Sequence, residues 1–561
     1  MLTLESVLRL DAQAIDYIII ALYFVFVLGI GYLAKRAVSN SLDFFLSGRS
    51  LPAWVTGLAF ISANLGAIEI MGMSANGAQY GMPTVHYFWI GAIPAMLFLG
   101  VVMMPFYYGS KVRSVPEFML RRFGKPAHLV NAISFAVAQV LIAGVNLFLL
   151  ATIVNVLLGW PIWVSTIVAA VIVLSYITLG GLSAAIYNEV LQFFVIVAAL
   201  LPLTIVGLHK VGGWQGLVDK VTAAPNAGAE QMSAWPGNQL SGFDNSFLSV
   251  IGLVFGLGFV LSFGYWTTNF VEVQRAMASK NMSAARRTPI IGSFPKMFIP
   301  FIVIIPGIIA AVAVPELQAL KGGSGGGEVT YNDALLLLMR DLLPNGMLGL
   351  AITGLLASFM AGMAANLSSF NTVMTYDLLE RYVIRGRSDD FYLRTGRWVT
   401  VAGTLIAVGT AAIASGYSNL MDYLQQLFSF FNAPLFATFI LGMFWKRMTA
   451  TAGWVGLVSG TATAVLVFVL SENGVINLPG QGASFVGAGA AFVVDILLSV
   501  VISLMTRPKA DEELKGLVYS LTPKEDRTET AQEGDHGWYR KPTLLAGISL
   551  AMVVVLNIVF G

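Results

Sequence analysis

The 561-residue sequence predicts an all-α integral membrane protein with about fourteen transmembrane helices. Composition is the first reason: 57% of the residues are hydrophobic and 11% are charged, too few charges to cover the surface of a soluble chain this long. The second is that apolar runs of spanning length recur along the whole chain. The third is the placement of the cations. With the N-terminus outside and loops assigned alternately, the inner loops hold 26 of the 32 Lys and Arg, the bias expected of cytoplasmic loops.

The spans fall near 15–35, 53–82, 85–109, 129–158, 161–180, 184–208 and 245–276, then 290–315, 347–378, 393–416, 420–446, 450–471, 485–506 and 542–560. The even count places both termini outside a plasma (inner) membrane, in contact with lipid through most of the chain. The outer segments 209–244 and 316–346 are rich in Gly, Pro and Asn. The run KGGSGGGE at 321–328 lacks the order of a phosphate-binding loop and reads as a flexible connection. The inner segment 507–541 is too short for a nucleotide-binding or signalling domain.

Several chemistries have no residues to support them. The chain has no cysteine, so disulfides and thiolate metal sites are excluded. Its four histidines, His86, His128, His209 and His536, have no metal-ligand spacing. No nucleophile–base constellation is evident, so no catalytic residue, metal site or enzyme activity is expected. No basic face interleaved with aromatics points to nucleic acid, and no obligate protein partner is indicated.

Two spans are interrupted. The first contains FISANLGAIEIMGMSANG at 60–77, with Asn64, Gly66, Glu69 and Gly72 in its middle. The second contains VLSFGYWTTNFVEVQR at 260–275, with Gly264, Thr267, Thr268 and Asn269. Four spans separate them, so they hold equivalent places in two five-span units. Paired broken helices of this kind point to an inverted-repeat transporter with a site at midplane. Glycines alone would serve close helix packing equally well, but two interruptions in register, each with an asparagine, favour a binding site. The chain then divides into an N-terminal extra helix and inner loop (1–52), a first repeat (53–208), an outer loop (209–244), a second repeat (245–446) and C-terminal peripheral helices (447–561).

Further stretches carry a resemblance: SVPEFMLRRF at 114–123, YITLGGLSAAIYNEVLQ at 176–192, KMFIPFIVIIPGIIA at 296–310 and DYLQQLFSFFNAPLFATFILGMFWKR at 422–447. Together with the two interrupted spans, and in this order, they resemble the sodium:solute symporter family, in particular its sodium/sugar branch. The resemblance covers about residues 16 to 450. It implies a leucine-transporter-like five-plus-five inverted-repeat core, discontinuous first and sixth core helices and transport by alternating access. Carried over residue by residue, it makes Asn64 the partner of an inner-gate tyrosine, Tyr265. Positions that meet the solute fall on Glu69, Ser262, Lys296 and Gln425, with Tyr265 and Asn269 beside them. The outer gate falls on Met73, Tyr87 and Met421, and a glutamate that relatives place after the gate tyrosine is Phe88.

The resemblance also implies a sodium site built from main-chain carbonyls at Ser62, Leu65 and Ser358 and from two adjacent serine hydroxyls. Here those two positions are Ala361 and Gly362, which offer no side-chain oxygen, while Ser368 and Ser369 lie about 10 Å further along the helix. Glu69 and Lys296 are the ionisable pair at membrane depth, where charges mark pathways and proton relays. A buried ion pair that orients solute, proton uptake by Glu69, and a Glu69 that hydrogen-bonds solute in a wet cavity are all open at this level. Glu189, Glu272 and Asp422 fall near span ends, where a reach into water is the default; Asp495, in a peripheral span, has no assigned role. The resulting expectation is a secondary transporter importing a small polyhydroxylated solute. The coupling ion is nominally sodium, with proton-coupled or uncoupled carriage and a membrane solute sensor as alternatives, and no cofactor is expected.

Overall fold

In hydrocarbon each main-chain N–H and C=O must find its partner within the protein, which restricts a spanning segment to a helix unless the strands close into a barrel. The computed structural model of the chain describes residues 9–35, 50–66, 68–109, 114–224, 228–323, 329–417, 419–523, 537 and 540–561; the side chains of 31, 34, 35, 109 and 176–184 lie outside that description. Among these residues all regular structure is helical, with one isolated bridge pairing Leu51 and Ser279.

The main helices are α1 (Ala14–Lys35), α2 (Ala53–Asn64), α3 (Ile68–Tyr80), α4 (Met82–Tyr108), α5 (Lys125–Leu158), α6 (Ile162–Val211), α7 (Ser246–Thr268) and α8 (Phe270–Met277). They continue as α9 (Met282–Ala313), α10 (Met347–Val383), α11 (Asp389–Ala414), α12 (Leu420–Phe444), α13 (Ala450–Glu472), α14 (Gly482–Met505) and α15 (Pro542–Val559). Among the described residues eleven helices are long and apolar enough to cross a membrane, and α2 with α3 forms a further, bent pair. Ala14–Ile30 and Ile162–Ser175 are shorter apolar helices where two more spans were expected. The GGLSA stretch, expected as a turn, falls inside the bounds of the 50-residue α6. At 1.5 Å per residue α6 is about 75 Å long, over twice the hydrocarbon thickness.

Large apolar side chains turn outward: Trp398, Phe247 and Ile558 are 74%, 73% and 75% exposed, an outer surface suited to lipid. Polar groups turn inward. Glu189 and Glu272, expected to reach water, are instead fully buried, and Glu189 pairs with Arg275 at 2.6 Å. The reason is that other helices lie alongside these span ends, so Glu189 meets Arg275 and Glu272 meets Tyr265 and not solvent. Inner-loop cations at 36–49, 110–113 and 524–536, and most of the glycine run at 321–328, lie outside the described residues.

The peripheral helices are tied to the core through polar contacts. Asp495 on α14 is buried and accepts from Thr438 Oγ1 on α12 at 2.8 Å and from Ser499 Oγ at 3.0 Å. Pro434 on α12 has no N–H for the carbonyl of Phe430. Thr461 on α13 donates its hydroxyl to that oxygen at 2.9 Å.

Candidate functional site

Both interruptions are present. Helices α2 and α3 meet at 59°. The last turn of α2 ends as Leu65 leaves helical geometry, with φ −72° and ψ 45°. The second break is a single residue: Asn269 is extended, with φ −71° and ψ 115°, and its side chain accepts from the Val271 N–H at 3.1 Å to start α8. Asn269 is thus an N-cap, the role asparagine fills when an orphan N–H needs an acceptor. Lys296 sits where α9 falters before Pro300: the carbonyl of Lys296 loses its usual partner to the proline and receives the Ile299 N–H at 3.2 Å.

These features bring the predicted residues together around one cavity. Its lining includes Glu69, Ser262, Tyr265, Asn269, Lys296 and Gln425, as well as Asn64, Met73, Tyr87 and Met421. Ser62, Leu65 and Ser358 do not line it. At its floor Lys296 Nζ meets Glu69 Oε1 at 2.5 Å and also donates to Asn64 Oδ1. The ammonium lies 4.8 Å from the Phe88 ring centre and 5.2 Å from that of Trp266, so two aromatic faces complete its cage. Lys296 is 1% exposed and Glu69 11%, so the pair is almost wholly desolvated yet touches the cavity through the carboxylate. The geometry pairs Glu69 with Lys296 and also sets Glu69 in the cavity lining.

Tyr265, the residue expected as the inner gate, lines the cavity. Asn64 Nδ2 donates to its hydroxyl at 3.0 Å, and the hydroxyl donates to Glu272 Oε1 at 2.9 Å. The ring packs against Phe428, centres 4.8 Å apart. On the outer side Met73, Tyr87 and Met421 are buried, and the Tyr87 hydroxyl donates to Gln481 Oε1. Gln481 in turn donates to Asp422 Oδ1 at 2.7 Å. A neighbouring amide pair, Asn419 Nδ2 to Asn76 Oδ1 at 3.0 Å, ties the start of α12 to α3.

Sequence reasoning missed Asn146 and Asn366, which line the cavity, and Gln481, which caps it. The two asparagines were visible as amides inside apolar spans; Gln481 precedes a peripheral helix and carried no signal. Asn146 stands at the remaining feature, the contact between the α2–α3 break and α10. A Cβ on Gly66 would lie 3.2 Å from Gly362 Cα and 3.2 Å from Asn146 Oδ1. Asn146 Oδ1, Ser62 Oγ and Ser358 Oγ are buried without a hydrogen-bond partner among the described residues. Three hard oxygens therefore remain unengaged around a segment where Ala361 and Gly362 bring none.

The comparisons with known proteins agree with this architecture. The sodium:solute symporter family profile matches residues 44–460. The chain is 28% identical to the sodium/glucose cotransporter of Vibrio parahaemolyticus, over 81% of this chain and 85% of that protein. It is 28% identical to sodium/glucose cotransporter 1 of Ovis aries, over 93% of this chain and 83% of that one. A solved structure of a Na+-coupled sialic acid symporter, substrate-bound and outward-open, superposes with a TM-score of 0.72 at 18% identity, covering 89% of this chain and 99% of that chain. That likeness speaks for the fold. With the family profile spanning both broken helices and the cavity between them, the chain belongs to the sodium:solute symporter family.

Proposed function

We propose that the protein imports a small polyhydroxylated solute, a sugar or sugar-like polyol, in symport with sodium by alternating access. The observation that carries this reading is the cavity between Tyr265 and the Met73–Tyr87–Met421 side. Its two charges neutralise each other, and its other polar groups are amides and hydroxyls. A neutral solute rich in hydroxyls can satisfy Glu69, Gln425, Asn366 and Ser262 while the Tyr265 ring in the cavity lining covers part of its C–H surface. A charged solute would bring an uncompensated charge into the same space.

For sodium as the second substrate, the reading looks to the α2–α3 break and the carbonyls of Ser62, Leu65 and Ser358. Asn146 Oδ1, Ser62 Oγ and Ser358 Oγ would stand in for the hydroxyls that Ala361 and Gly362 lack, since hard cations take oxygen ligands. The cation bias supports a plasma-membrane protein with both termini outside. Purified protein in liposomes is expected to accumulate a sugar or polyol under an imposed sodium gradient. Uptake that ignores sodium and follows a pH gradient would replace sodium by the proton. A thermal-shift screen of sugars, polyols and sugar acids with no response would end the solute class.

A further inference from the structure

Behind the inner gate lies a buried carboxylate that neither solute nor sodium uses in the reading above. Glu272, in the first turn of α8, is fully buried. Its Oε1 accepts from the Tyr265 hydroxyl at 2.9 Å, across the break at Asn269, and its Oε2 has no hydrogen-bond partner among the described residues. The nearest guanidinium is committed elsewhere. Arg275 gives Nη2 to Glu189 Oε1 at 2.6 Å and Nε to Glu189 Oε2 at 3.3 Å, and its Nη1 goes to the Val271 carbonyl and to Gln274 Oε1.

Counting charges along this polar chain gives an imbalance. From cavity to inner side run Glu69, Lys296, Asn64, Tyr265, Glu272, Arg275 and Glu189: three carboxylates against two cations. Lys296 is matched by Glu69 and Arg275 by Glu189, so the unmatched carboxylate is Glu272. The elements packed against α8 offer little more. Helix α2 and residues 347–372 of α10 contain no titratable side chain, and α9 contributes Arg286 and Arg287 besides Lys296. The end of α4 brings Tyr107 and Tyr108, whose hydroxyls donate to the carbonyls of Thr267 and Ser279, each at 2.9 Å.

An isolated carboxylate out of water costs several kcal/mol and takes a counter-ion or a proton. A metal cation needs a shell of oxygens, whereas Glu272 Oε2 has no hydrogen-bond partner among the described residues. A proton needs only that one oxygen. We propose that Glu272 is a proton-binding site: it holds a proton on Oε2 while Tyr265 closes the inner gate, and releases it to the inner solution when the gate opens and Glu272 becomes wet. The balance is one proton bound and one released, with no other bond made or broken. This rests on Tyr265 acting as the inner gate, and it adds a proton step to sodium symport without replacing it.

The direct test is infrared spectroscopy of the purified protein in lipid, without solute. At neutral pH the wild type is expected to show a protonated-carboxyl C=O band that is diminished in Glu272→Gln; an unchanged band in that variant would mean Glu272 is ionised and would overturn the proposal. If Glu272→Gln does not fold, Tyr265→Phe serves instead: losing the Tyr265 donor to Glu272 Oε1 should move the band's titration to higher pH, and an unmoved titration refutes the assignment. In liposomes at fixed outer pH and sodium, acidifying the inside should slow wild-type solute uptake, by up to about tenfold per pH unit below the midpoint, while Glu272→Gln stays flat. Equal pH dependence in both proteins also refutes it. Because the infrared arm needs no transport, failure of the solute assignment and failure of this site are separable.

Discussion

Gly362 approaches Gly66 so closely that a Cβ on Gly362 would lie 3.0 Å from the Gly66 Cα and 3.1 Å from Asn146 Oδ1. Helix α10 and the break after α2 thus touch backbone to backbone, with a partnerless amide oxygen beside them. If that oxygen receives sodium, Asn146→Ala should raise the sodium concentration for half-maximal uptake by roughly tenfold, the equivalent of about 1.4 kcal/mol. Gly362→Ser restores a hydroxyl but is expected to lose about 1–3 kcal/mol of stability by overpacking. Sodium titration of uptake and unfolding in detergent read the two effects separately. Improved sodium affinity at full stability in the serine variant would refute the tight contact.

The Lys296–Glu69 pair makes a prediction in three variants. Removing one partner leaves a buried charge alone, a loss of about 3–5 kcal/mol. Lys296→Ala should therefore insert into the membrane yet lose both uptake and thermal stability, and Glu69→Gln should lose stability likewise. The double variant Glu69→Gln with Lys296→Met should recover most of the stability without recovering uptake. Thermal unfolding of all three, beside uptake, closes the cycle. Strict additivity of the two single losses would show that the charges do not interact.

Gln481 joins Tyr87 on α4 to Asp422 in the first turn of α12, a bridge across the side expected to face outward. A hydrogen bond to a charged group contributes roughly 1.5–3 kcal/mol. Gln481→Ala should therefore shift the population towards an outward-open form by about tenfold or more. The absence of native cysteine gives a clean readout. A single cysteine at Met73 should react correspondingly faster with an impermeant outside thiol reagent when Gln481 is alanine, and unchanged labelling would dismiss the latch.

Outside the spans, Lys321 ends the helix Pro315–Lys321 and donates to the Ala78 carbonyl at 2.8 Å and to Gln231 Oε1 at 2.5 Å. Burial pushes its ammonium down to about 8 from an ordinary value of 10.5. The folded form thus sheds this proton before the unfolded form does. Its contribution to stability therefore improves as pH rises from about 8 towards 10.5, and is flat below about 8, where both forms are charged. Lys321→Met should remove that rise from a pH series of unfolding midpoints.

The broken helices were legible because Asn64, Glu69 and Asn269 stand out against apolar spans, whereas Met73, Tyr87, Ser262, Tyr265, Lys296, Met421 and Gln425 were placed around the cavity by the resemblance. An amide or a charge in hydrocarbon is costly enough to need a reason, and the reason here is the site. Asn269 was legible as a position but not as a cap, since capping depends on where the helix restarts. Glu189 and Glu272 were misjudged because distance from a span end says nothing of which helix lies alongside. Gln481 was invisible for a different reason: its partners Tyr87 and Asp422 are 394 and 59 residues away, and nothing local marks it.

The hydroxyl that Thr461 lends to Phe430 separates two halves of α12. Met421, Asp422 and Gln425 lie before the proline, and the Asp495-anchored turn at Thr438 lies after it. A helix bends cheaply where a ladder bond is already missing, provided the freed carbonyl is not left bare. Pro434 is therefore where α12 bends at least cost, although both of its halves are bonded to the α14 region, through Gln426 to Ser484 before the proline and Thr438 to Asp495 after it. The bend is set by a helix that never touches the solute, so a silent-looking change at Thr461 would stiffen or loosen a carrier whose binding residues were all intact.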